Sequence, residues 1–285
     1  MKMIAKLYFL VFFAISPLAC TENCYYVLKD PLPKTGMFAV FQSVLCFLDI
    51  YENHGNRWNG LEVNFGTEGL YWAKDKGPNW WQYYFEPICI NRTSPSSIES
   101  LDIFGLQKLC IKFGVSNIAR NRGNYLVQKY VRIKPEIQKK VTSFYEKYMQ
   151  DAFLIGVHYR GTDKVIEAPR VSYEQVYLKI LEVMGTTQKK VKIFVATDEW
   201  QFISYISAKF PQNVCFTEAT RATDSQPVHL YHNLDPYKNG LEAIVDCLLL
   251  SKCDVLIRTE SHLSNTALMF NPNVIPYTLN AYYGQ

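Results

Sequence analysis

The amino-acid sequence predicts an α/β protein with a parallel sheet in its second half. Three observations predict it. From Phe153 onward, apolar runs of strand length alternate with segments of helical periodicity. The run Leu154-Ile-Gly-Val157 has no polar alternation, as expected of a strand covered on both faces. It turns polar at once, with His158, Arg160, Thr162, Asp163 and Lys164 following, and ligands of α/β folds sit at strand carboxyl ends.

A chain of 285 residues is long enough for one large domain or two modest ones. The apolar content of 48% and charged content of 20% are those of a folded globular chain. A net charge of +4 without any dense basic run argues against a nucleic-acid binder and is compatible with an anionic small ligand.

At the start, Lys2 and Lys6 precede the apolar run Leu7–Ile15, and Ser16-Pro-Leu-Ala19 supplies small residues near a cut. This reads as a signal peptide over 1–20, with an uncleaved signal anchor as the alternative and with the secretory lumen or export as the destination. Eight cysteines, an even number, permit disulfides in an exported chain, while Cys46, Cys247 and Cys253 lie in apolar helical runs and fit buried thiols as well. None has zinc spacing, and Asp-x-Asp is absent, so no metal is called for.

Tyr25–Leu28 reads as a first strand. Met37–Glu52 is an apolar helix preceded by Gly36, and a helix N-terminus is a place where anions bind. Leu61–Phe65 is a short strand. The stretch Leu70–Pro87 carries Trp72, Trp80, Trp81 and several other rings beside Lys74, Asp75 and Asn79. It is read in two ways, as rings covering the first domain or as a platform that stacks on an acceptor sugar. Helices are expected near Leu101–Lys112 and, opened by Pro135, over Glu136–Met149. A boundary near Gln150 separates a first domain at 21–150 from a second at 151–285.

In the second half, strands are expected at 153–157, 191–196, 214–216, 254–257 and 275–279, with helices at 172–184, 200–209 and 240–252 and another opening at Thr259–Ser264. Such alternation implies right-handed βαβ units. Asp198 ends one strand as Arg160 follows another, and it fits either a helix cap or an orienting carboxylate. Asp246 lies inside an apolar helix, where a carboxylate is costly unless it has a partner. Arg160 offers a donor fork suited to a diphosphate, although the surrounding turn also fits an ordinary surface charge cluster.

The segment His158-Tyr-Arg-Gly-Thr-Asp-Lys164 resembles the His-x-Arg-Arg-Thr-Asp-Lys motif of the α1,6-fucosyltransferases, a family that includes rhizobial nodulation fucosyltransferases and the animal enzyme that core-fucosylates N-glycans. The resemblance implies two Rossmann-like domains of the GT-B type with a cleft between them, the first on the acceptor side and the second binding the donor. It implies metal-independent, inverting transfer of fucose from GDP-fucose to a hydroxyl of a glycan or glycoprotein. Arg160 matches the arginine that holds the β-phosphate, while the second arginine of the pair is Gly161 here.

By the same resemblance His158, Asp163 and Lys164 belong to the donor site. Gly36 matches a Gly-rich loop, and Ala196-Thr-Asp198 matches a step lining that site. Asp246, eight residues before Asp254, matches the carboxylate that accepts from guanine. Thr259 and Ser261 match a Thr-x-Ser-Ser step, with His262 in place of the second serine. Glu167 stands near the position of the proposed base, or is a solvated loop carboxylate. Two other readings stay open. One is a transferase for another GDP-sugar, and the other is a non-catalytic glycan-binding protein on the same fold.

Overall fold

The computed structural model describes residues 24–29, 35–54, 58–66, 69–91, 97–115, 118–162, 168–224, 228 and 234–281. The leader at 1–20 and the expected site residues Asp163, Lys164 and Glu167 lie outside them.

Two sheets organise the described residues. In the first, β1 (Cys24–Leu28) runs parallel to β2 (Trp58–Val63) on one side and to β4 (Ser97–Leu101) on the other, and β3 (Cys89–Asn91) pairs antiparallel with β2. The second is parallel throughout, in the order β7 (Val214–Cys215), β6 (Val191–Thr197), β5 (Phe153–Tyr159), β8 (Val255–Arg258), β9 (Ile275–Thr278). The chain moves outward from β5 to β7, then returns to the other side of β5 for β8 and β9. The strand order therefore reverses between β5 and β8, and a crevice opens there at the carboxyl ends.

The helices explain why β5 is apolar throughout. Ile155 and Val157 pack on one side with α5 (Tyr173–Met184) and α6 (Trp200–Lys209). Leu154 points the other way, into a core shared with α7 (Pro236–Leu250) and α8 (His262–Phe270). That second core also takes in the first sheet and α1 (Met37–His54), so the two sheets are joined by continuous apolar packing. Phe41 of α1 lies against both Trp81 and Phe270 of α8, at centroid distances of 5.8 and 5.6 Å.

Local signals set the helix ends. Asp102 caps α2 (Ile103–Phe113), which ends at Gly114 with φ +68. Pro135 opens α4 (Pro135–Tyr148), and Ser172 and Gln175 form a capping box on α5. The last helix before β8 starts at Pro236 rather than Gly240, because Asp235 caps it and the proline occupies its first turn. Gly240 sits inside that helix because the Tyr84 hydroxyl and a Met37 methyl fill the space a side chain would need. Periodicity gave no sign of α3 (Arg120–Tyr130), whose sequence is mostly polar and lacks a side-chain cap. It packs on α8, with Gly123 against Met269 and Asn124 Nδ2 donating to Met269 O at 2.8 Å. α4 packs on α7.

The aromatic stretch is core. Trp80, Trp81, Tyr84 and Phe85 are at most 2% exposed, and the Phe65–Trp80 and Trp81–Phe85 ring pairs stack at 4.9 and 4.2 Å. The acceptor-platform reading is corrected for these rings, since a buried face offers nothing to a sugar. The reason is local: Asn79 caps a 3-10 turn over Trp80–Tyr83, and its amide donates to Val63 O, turning the rings inward onto α1. Cys24, Cys46, Cys89, Cys110, Cys215, Cys247 and Cys253 are free thiols, and burial pushes Cys247 and Cys253 well above the usual thiol range. No helix among the described residues is long and apolar enough to cross a membrane.

Candidate functional site

The crevice between β5 and β8 opens into a cavity of about 380 Å³, a size typical of small-ligand sites. Gly36, His158, Arg160, Asp198, Asp246, Ser261 and His262 all line it, so residues spread over most of the chain converge at one place.

The turn after β5 forms one corner. Arg160 Nε pairs with Asp198 at 2.9 Å. Asp198 also accepts from Gly161 N at 3.1 Å and from the Thr162 hydroxyl at 2.6 Å. Its carboxylate thus orients the arginine and shapes the turn, which answers the question left open between a cap and an orienting group. Thr259, only 2% exposed, accepts from Arg160 N at 2.9 Å, and its own N–H donates to His158 O at 3.0 Å. It acts here as a clamp between the ends of β5 and β8 and does not line the cavity.

The N-terminus of α8 forms a second wall. Ser261 is its N-cap, accepting from Ser264 N at 3.2 Å, and its hydroxyl lies 3.5 Å from His158 Nδ1. Gln42 reaches across from α1 and donates to His262 O and to the Thr266 hydroxyl at 3.1 and 3.2 Å. Its amide oxygen is therefore the atom facing His262 Nδ1 at 2.8 Å, and it accepts from that ring nitrogen. At the N-terminus of α1, Gly36 O accepts from Ala39 N and Val40 N, and no atom lies within 4 Å of the place a Gly36 side chain would take. The starts of α1 and α8 and the Arg160 side chain thus line one cavity, a combination of helix N-termini and a guanidinium that suits an anion.

The far corner holds Asp246, which is 7% exposed on α7. It accepts from the Thr217 hydroxyl at 2.7 Å. Burial raises its pKa to about 6, opposed by the Thr217 bond and the charge of Arg221. Arg221 is itself buried, donates to Ala219 O at 2.8 Å, and has no hydrogen-bond partner at Nε and Nη2. Glu242, beside it, accepts from Thr220 N at 2.9 Å. A carboxylate of this kind fits a pair of adjacent N–H donors, such as those on one edge of guanine.

Several residues that line the cavity, as Tyr71 and Thr220 do, or hold its lining side chains, as Gln42 and Thr217 do, carry no sequence signal. Tyr71 accepts from Met37 N at 2.8 Å and lies close enough to Arg160 to feel its charge, while burial raises its pKa. Gln42, Thr217 and Thr220 are ordinary polar residues in sequence, and only folding brings them here. Among the described residues no group of three or more His, Cys, Asp or Glu is placed to hold a metal.

Two α/β sheets with a nucleotide-sized cavity at the carboxyl ends of the second are the architecture of GT-B glycosyltransferases. The match to a solved NodZ α1,6-fucosyltransferase soaked with GDP-fucose has a TM-score of 0.59 and covers 86% of this chain and 92% of that one, at 15% identity. POFUT1 in complex with GDP-fucose matches with a TM-score of 0.50 over 90% of this chain and 98% of that one, at 11% identity. These likenesses are of fold.

In sequence, the family model described as Nodulation protein Z (NodZ) matches residues 119–283 of the 285, and the chain belongs to that family. The Nodulation protein Z of Bradyrhizobium diazoefficiens is 29% identical over 161 residues, 53% of this chain and 43% of that protein. That of Sinorhizobium fredii is 29% identical over 167 residues, 54% of this chain and 51% of that protein. The chain thus spans about half the length of the curated relatives it matches.

Proposed function

We propose that this protein transfers fucose from GDP-fucose to a hydroxyl of a glycan, with inversion. The observation that carries the reading is one cavity with Arg160 and two helix N-termini at one end and the buried Asp246 carboxylate at the other. Those ends are complementary to a diphosphate and to a guanine edge. Family membership and neighbours solved with GDP-fucose support the choice of donor.

In this scheme the guanidinium of Arg160 takes up charge as the bond between the sugar C1 and the diphosphate oxygen breaks. The acceptor hydroxyl attacks C1 from the opposite face, and its proton passes to a base, for which Glu167 is the candidate from sequence. The first half of the chain is assigned to the acceptor side, and residues 1–20 to delivery into the secretory lumen or export, with membrane attachment only if that segment stays uncleaved.

The test is GDP release from GDP-fucose by the full chain, with and without a panel of glycan acceptors. Release by the native chain and its loss in Arg160→Ala supports the transferase. Absence of release with glycan binding intact in both forms overturns it in favour of a binding protein. Faster release from another GDP-sugar overturns the choice of fucose alone.

A further inference from the structure

Gly161 stands where the resembling motif has its second arginine, and the structure shows what fills the space. A methyl group built on Gly161 overlaps the carboxyl carbon and both oxygens of Glu199. Glu199 follows Asp198 directly, at the start of α6, and is 5% exposed. Although a carboxylate is the far end of a side chain, this one is tied down. Arg170 Nη2 lies 3.1 Å from Oε1, and the Tyr173 hydroxyl donates to Oε2 at 2.7 Å. The backbone is held too, since Glu199 N donates to the Thr197 hydroxyl and Glu199 forms a bridge with Ala222. Consecutive carboxylates from the end of β6 therefore grip the turn that carries Arg160. Asp198 binds it directly, and Glu199 fills the space beside Gly161 and links it to the start of α5.

We infer that Glu199 is a positioning residue for Arg160, and that Gly161 and Glu199 are a matched pair. The glycine leaves the volume that the carboxylate occupies, and Arg170 supplies the charge that neutralises it. A carboxylate left unpaired this close to a diphosphate would repel it, so Arg170 is as much a part of the arrangement as Glu199. The inference rests on the reading of Arg160 as the diphosphate ligand.

The experiment is a double-mutant cycle on the full chain, read as GDP affinity by titration calorimetry, as donor KM and kcat, and as melting temperature. Gly161→Ala is expected to weaken GDP binding roughly tenfold or more, because the methyl group displaces the carboxylate and shifts Arg160. Glu199→Asp withdraws the acid by one methylene and costs a few-fold. In Gly161→Ala/Glu199→Asp the methyl has room, and affinity returns to that of Glu199→Asp. Arg170→Met is expected to raise donor KM more than it lowers kcat, with a larger effect at low salt than at high salt.

Native GDP affinity in Gly161→Ala, or losses that simply multiply in the double variant, overturns the pairing. If Gly161→Ala fails to fold, a double variant that folds and binds supports the pair, and one that also fails overturns it. Absence of GDP binding by the native chain would overturn the Arg160 reading instead. The coupling between 161 and 199 would then be decided by the melting temperatures.

Discussion

The two ends of the cavity solve opposite problems. At the turn after β5, Asp198 is met by Arg160, Gly161 N and Thr162, so its charge is matched from several directions and the turn is stiff before any ligand arrives. At the α7 end, Asp246 is buried with one hydroxyl bond, and the neighbouring Arg221 keeps two nitrogens without partners. Carrying that carboxyl from its ordinary 3.8 to about 6 costs the folded state about 3 kcal/mol at neutral pH. The first corner adds to stability as it preorganises the site. The second is held at a cost that a ligand with two adjacent N–H donors would offset.

The comparison is tested most strongly by removing each charge. Arg160→Ala is expected to lower turnover about 10²–10³-fold, since under the proposed function it deletes the cation that takes up the charge of the leaving diphosphate. Asp246→Asn is expected to weaken GDP binding roughly 10- to 100-fold, because the amide accepts through one atom only and presents an N–H to a donor. Its melting temperature should stay level or rise, because the buried charge is gone. A fall in melting temperature with GDP affinity unchanged would reverse the assignment of the two corners.

Acidity separates the corners next. The ionised carboxylate is the form that accepts two bonds, and burial has raised its pKa to about 6. GDP affinity should therefore be full above about pH 7 and fall about tenfold per pH unit below 6, and Asp246→Asn should flatten that profile. Stability runs the other way. The folded form holds this proton more tightly than the unfolded one, so the contribution of Asp246 is greatest below its ordinary pKa and is lost as pH rises through about 6.

Smaller effects refine the picture. Asp198→Ala, unlike Asp246→Asn, should destabilise the fold by about 1–3 kcal/mol in urea titration, since it strands the donors of the β5 turn. Thr217→Val removes one bond that favours the ionised Asp246. It should weaken GDP binding by about fivefold at pH 7 and move the midpoint of the pH profile upward.

How much of this was legible in sequence differs between the halves. In the second half, apolar runs bounded by caps located the strands and helices to within a few residues, and Arg160, Asp198 and Asp246 stood out as charged groups at the ends or in the middle of apolar segments. In the first half the same cues misled. Trp80 and Trp81 have the composition of a sugar platform, and composition does not tell which face of a ring is covered. α3 went unseen because it has little apolar periodicity of its own and gains its packing from α8. Thr259 matches a donor-site residue by resemblance alone, and only the fold shows its hydroxyl accepting from the Arg160 backbone across to β5.

The α/β class, the parallel second sheet and the charged residues at its strand ends follow from the order of residues alone, because strand burial, capping and helical periodicity are local properties. Which groups share a site follows from the packing of distant segments. The reversal of strand order between β5 and β8 opens the crevice, the approach to α1 brings Gly36 to it while Gln42 of α1 meets His262 at its wall, and the folding of β6 beside β5 sets Glu199 into the space that Gly161 leaves. These are long-range contacts fixed by chain topology, and no local pattern of residues encodes them.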